Sequence, residues 1–61
     1  MKYEIGQVCR YKGITFLIID IDKIRAGIKV QLTNGYWTWM TWIGKDIEIL
    51  DIDEIQFRLM D

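Results

Sequence analysis

Short apolar runs separated by glycine organise this chain. Gly6, Gly13, Gly27, Gly35 and Gly44 fall between the runs, where turns need backbone conformations that glycine adopts without steric cost. Residues 7–12 read as a first strand that ends at a Lys12-Gly13 turn. Residues 14–21 are almost wholly apolar, as in a strand covered on both sides or bent around a barrel corner. After a polar loop over 22–27, residues 28–32 alternate, with Ile28, Val30 and Leu32 on one face and Lys29 and Gln31 on the other. Residues 47–50 form a short alternating strand, and 51–54 an acidic turn. Ile55, Phe57 and Leu59 then alternate with Gln56, Arg58 and Met60, which predicts an extra strand over 55–60. A helix over 52–59 would instead line up Ile52, Ile55 and Leu59, but the period of two and the absence of alanine favour the strand.

The densest signal is the run 36–43, where three tryptophans, a tyrosine and a methionine fall in eight residues. Asn34-Gly35 precedes it, the pair that best suits a two-residue type I′ hairpin turn. Such a turn sets Thr33 opposite Tyr36, Leu32 opposite Trp37, Val30 opposite Trp39 and Ile28 opposite Thr41. Directly opposed residues share a sheet face. Trp37 and Trp39 are then expected in the core with Ile28, Val30 and Leu32. Tyr36, Thr38, Met40 and Trp42 are expected on the outer face with Lys29 and Gln31. A bulge at or after Met40 would reverse the assignment of Trp42.

Composition fits a β domain with a core. Hydrophobic residues make up 51% of the 61-residue chain and twelve are isoleucine, against one alanine, and branching at Cβ suits a pleated surface. This length accommodates one domain over 1–61. Abundant isoleucine and lysine with little alanine also fit an AT-rich genome. With Cys9 alone and no histidine, neither a disulfide framework nor a zinc cluster can form within the chain. A single unpaired thiol, no bilayer-length apolar stretch and a start without the apolar core of a signal peptide lead to the expectation of a cytoplasmic protein away from membranes.

Catalysis is expected to be absent. The chain has no histidine to shuttle protons near neutral pH and no serine nucleophile. Cys9 reads as a buried structural thiol despite the neighbouring Arg10. Asp51, Asp53 and Glu54 do not match a calcium-loop spacing and read as a solvated turn. No cofactor and no metal site is expected. The formal net charge of −1 is uneven: residues 1–44 carry six basic and three acidic side chains (+3), residues 45–61 two basic and six acidic (−4).

Gly6-Gln7-Val8, the Lys12-Gly13 turn, residues 28–32, the Asn34-Gly35-Tyr36-Trp37 hairpin and the tail Asp46-Ile47-Glu48-Ile49-Leu50 together resemble an SH3-like small barrel of the Tudor and KOW kind, over about residues 5–50. The expected fold is therefore all-β, a small barrel of five short antiparallel strands with an extra C-terminal strand. What the resemblance implies is a binding role without a named ligand.

The main functional expectation is a non-catalytic protein-binding module, such as a phage-type inhibitor or regulatory subunit acting by steric occlusion. Tyr36, Met40 and Trp42 would be its anchors, and Lys29, Gln31 and Thr38 its polar rim. A homodimer would satisfy the same surface. The alternative is a nucleic-acid-binding barrel, with Arg10, Lys12, Lys23, Arg25 and Lys29 along one side and Tyr36 or Trp42 stacking on bases, although a pI of about 5.2 suits that role poorly. Two further readings are an aromatic cage formed by Trp37, Trp39 and Trp42, and an acidic nucleic-acid mimic using Asp46, Glu48, Asp51, Asp53 and Glu54.

Overall fold

The computed structural model describes residues 2–60. The strands are β1 (Val8–Tyr11), β2 (Ile14–Asp22), β3 (Gly27–Leu32), β4 (Trp37–Thr41) and β5 (Glu48–Ile49), followed by the helix α1 (Glu54–Arg58). All five strands join one antiparallel sheet in the order β4-β3-β2-β1-β5. The fold is thus mostly β, as expected. The sheet is open, however: β4 and β5 are its two edges and do not pair with each other.

The tight two-residue turn lies at Lys12-Gly13. Tyr11 pairs with Ile14 across it, and both central residues have positive φ (51° and 81°), the signature of type I′. Asn34-Gly35 behaves differently. The Gly35 N–H donates to the Leu32 carbonyl (3.0 Å) and the Leu32 N–H to the Tyr36 carbonyl (2.7 Å). Leu32 therefore closes on Tyr36, and Thr33, Asn34 and Gly35 form a three-residue loop with Gly35 at φ 90°. This is a type I turn followed by a left-handed glycine. The Asn34 side-chain oxygen accepts from the Tyr36 N–H at 2.9 Å and braces the loop.

The extra loop residue shifts β4 by one position. Gln31 pairs with Trp37, Val30 with Thr38, Lys29 with Trp39, Ile28 with Met40 and Gly27 with Thr41. A one-residue shift turns every side chain to the opposite face. The expected assignment is reversed: Trp37 and Trp39 leave the core and join Lys29 and Gln31, whereas Met40 and Trp42 pack against it.

The first sheet face is sealed. Cys9, Phe16, Ile18, Ile28 and Val30 form its core with Tyr3 and Ile47. After β4 the chain passes from one sheet edge to the other, and on the way Trp42 and Ile47 cover this face. The ring of Trp42 lies 6.2 Å from that of Tyr3. On the second face Val8 and Leu17 are covered by Phe57 of α1, with Ile19, Leu50 and Ile52 around them. β2 is thus buried on both sides, which accounts for its near-continuous apolar run. Its register shifts between Ile18 and Asp20, and Ile19 packs with the second cluster.

Residues 54–58 are helical, so the extra C-terminal strand expected over 55–60 does not form. Asp53 caps the helix: its carboxylate accepts from the Gln56 N–H at 2.8 Å, and the Gln56 side chain accepts from the Asp53 N–H at 3.4 Å. This reciprocal box satisfies two otherwise orphaned donors. Phe57 is the only buried residue of α1, at 2% exposure, and Ile55 and Leu59 point to solvent. An alternation over three apolar residues therefore did not mark a buried strand face. No helix among the described residues is long and apolar enough to cross a membrane.

Candidate functional site

The second sheet face is covered over β1 and β2 and bare over β3 and β4. On the bare half Trp37 and Trp39 are 51% and 46% exposed. Both project from the edge strand β4 beside Gln31 and Lys29 of β3. The Lys29 ammonium sits 4.0 Å from the centre of the Trp37 ring, within cation–π range. This contact holds the lysine stem across the strand pair and gives the apolar patch a positive charge. Trp39 lies over Gly27, where a Cβ would meet the indole at 3.6 Å. Trp39 also borders a shallow cleft with Asp22, Arg25, Gly27, Met40 and Thr41.

α1 supplies one rim of this surface. The Arg58 guanidinium donates to the Gln31 side-chain carbonyl and lies 3.6 Å from the Glu54 carboxylate. The Gln31 amide in turn donates to the Gly35 carbonyl at 3.2 Å. A polar chain thus runs from the helix through Gln31 to the β3–β4 turn. It ties the cover of the closed half to the frame of the open half.

Of the residues expected to bind protein, Lys29 and Gln31 lie on this surface. Tyr36 is exposed in the turn, and Thr38 is exposed on the opposite side of β4. Met40 and Trp42 are packed on the core and are not outward anchors. Trp37, Trp39 and Arg58 take their places. The signal available for the two indoles was the three-residue loop Thr33-Asn34-Gly35, which the same residues satisfy. For Arg58 it was the Asp53-to-Gln56 capping box.

The basic residues considered for nucleic acid do not gather. Lys12 lies in the turn before β2, and Lys23 and Arg25 in the loop after it. The nine residues of β2 separate these ends by roughly 30 Å at strand rise. Arg10 lies 3.3 Å from the Glu48 carboxylate, and Arg25 lies 3.8 Å from that of Asp22. Trp37, Trp39 and Trp42 do not converge on a point either, since Trp42 packs against the first face.

Cys9 is fully buried. Burial pushes its thiol up to about 11, against a smaller lowering effect of Lys2, so the sulfur is protonated and sequestered at neutral pH. Among the described residues no group of three or more His, Cys, Asp or Glu side chains is placed to hold a metal ion. The chain matches no protein-family model, no curated protein and no solved structure.

Proposed function

We propose that this chain is a small non-catalytic protein-binding module that engages its partner through the open half of the second sheet face. Trp37 and Trp39 act as apolar anchors, and Lys29, Gln31 and Arg58 form the polar rim. The observation that carries this reading is the pair of half-exposed indoles side by side on one strand, next to a half-face that the chain does seal. Tryptophan and arginine are enriched where binding energy concentrates, and exposed apolar patches with polar borders mark contact surfaces. Indole, amide, ammonium and guanidinium groups make up the anchors and rim, bordered by Asp22 and Thr41 beside Trp39 and by Glu54 beside Arg58, a mixed apolar and polar surface that suits occlusion of a partner. The fold is read as an SH3-like barrel left open. The β1–β4 meander, with β5 returning to β1, supports that reading. The scatter of the basic residues and the carboxylate partners of Arg10 and Arg25 favour a protein over a nucleic acid as ligand.

The test compares the wild-type chain with a Trp37→Ser/Trp39→Ser variant as affinity baits in the same extract. The expected result is a protein retained by the wild type through moderate salt and lost from the variant, while both keep the same far-UV circular dichroism. Retention by both baits, or retention of nucleic acid that salt releases, would overturn the reading.

A further inference from the structure

β4 is the outer strand at one end of the sheet, and the Trp39 carbonyl on its outer side accepts from the Thr38 hydroxyl at 3.5 Å. Edge strands usually carry a charge, a proline or a bulge, or are very short, to prevent pairing with another chain. β4 has five residues, Trp37-Thr38-Trp39-Met40-Thr41, with no charge and no proline, and its pairing with β3 runs without a register shift. The other edge is blunted. β5 has two residues and carries Glu48, with Asp46 and Asp51 close by in sequence.

Backbone parity decides what the β4 edge can accept. The Tyr36 carbonyl accepts from Leu32, and the Trp42 N–H donates to the Ala26 carbonyl at 3.1 Å. Even-numbered residues of this strand therefore direct their hydrogen-bonding groups toward β3. Along a strand these groups alternate sides, so the N–H and C=O groups of Trp37, Trp39 and Thr41 point away from the sheet. Trp39 is the middle one of the three. An antiparallel strand related by a two-fold axis at Trp39 would match them all, with Trp39 opposite its own copy and Trp37 opposite Thr41 of the other chain.

We infer that the β4 edge pairs with a second copy of this chain, joining two sheets into one continuous sheet through an isologous contact centred on Trp39. Such a contact uses the same patch on both partners. The meeting strands carry no charge of their own, the Lys29 ammonium of each copy lies on β3 over its own Trp37 ring, and the acidic segments around β5 lie at the far edges of the joined sheet, so a second copy brings no charged side chain of β4 or β5 to the seam. The second faces then run on from one copy to the other, and the four indoles of Trp37 and Trp39 form one row. A single strand pair is small beside the roughly 1,200–2,000 Å² of stable complexes, so the dimer is weak and depends on concentration. The inference rests on the same outward register as the proposed binding face, but it concerns the backbone edge rather than the indole surface.

Sedimentation equilibrium over micromolar to millimolar concentrations tests it. The mass should rise from 7.3 kDa toward twice that value. A synthetic full-length chain with an N-methyl group on the Trp39 amide keeps both indoles and loses one outward donor. It should dimerise at least tenfold more weakly with unchanged near-UV circular dichroism. If that chain fails to fold, Trp39→Lys and Trp37→Lys decide. The first opposes two ammonium groups directly and should abolish the dimer, whereas the second faces a threonine and should weaken it less. A wild-type monomer throughout, a dimer indifferent to N-methylation, or equal effects of the two lysines would overturn edge pairing. A monomer whose Trp37→Ser/Trp39→Ser variant still loses its protein partner would end the pairing and leave the binding face standing.

Discussion

One sheet face carries two apolar surfaces with different fates. Over β1 and β2, Val8 and Leu17 are sealed by Phe57 of a five-residue helix. Over β3 and β4, Trp37 and Trp39 have no such cover. The closed half behaves as core, where each apolar group contributes to folding. The open half keeps large apolar area in water, which contributes little to stability and is available to a partner. The difference teaches that ring size is a poor guide to burial in so small a domain. One phenylalanine on one helical turn does what neither exposed tryptophan does, because only its side chain meets an opposing surface.

Truncating the seal should produce the largest effect. Phe57→Ala is expected to cost about 3–5 kcal/mol, a large share of the stability available to a chain of this length, read as a fall in the denaturant midpoint. If Phe57→Ala were as mild as an exposed substitution, the two halves would not differ as described. The tryptophans sharpen the contrast. Trp42→Ala, which opens the first face beside Tyr3, should cost about 2–3 kcal/mol. Trp37→Ala and Trp39→Ala should stay within about 1 kcal/mol. The reverse order in thermal melts would place the wrong rings inside. Smaller again is the cap that holds the seal: Asp53→Ala removes the acceptor for the Gln56 N–H and should cost about 1 kcal/mol. Asp53→Asn should recover most of that loss, and a null effect would mean that Phe57 docks without help from its helix.

Much of the sheet was legible in the residue pattern. β1, β2 and β3 follow from alternation, from the doubly apolar run of β2 and from glycine at the turns. The face of β4 was not legible, because Asn34-Gly35 serves a two-residue type I′ turn and a three-residue turn with a left-handed glycine equally well. These solutions differ by one residue and invert every side chain that follows. Local chemistry near the turn cannot choose between them. The choice rests on whether Met40 and Trp42 or Trp37 and Trp39 fit the space under Tyr3 and Ile47, and that is a tertiary matter. α1 was hidden for a related reason. Ile55, Phe57 and Leu59 mimic a strand period, and only the reciprocal cap between Asp53 and Gln56 marks the helix locally. The coverage of one half-face and not the other arises when Phe57 docks on Val8 and Leu17, a contact between residues far apart in the chain.

The pairing of β3 with β4 decides which side chains the open face presents. Cross-strand nuclear Overhauser effects between α-protons read that pairing directly, because these protons approach closely only in non-hydrogen-bonded pairs of antiparallel strands. Cross-peaks linking Lys29 with Trp39 and Gln31 with Trp37 are expected. Cross-peaks linking Val30 with Trp39 and Leu32 with Trp37 would contradict the account, since they would turn both indoles into the core.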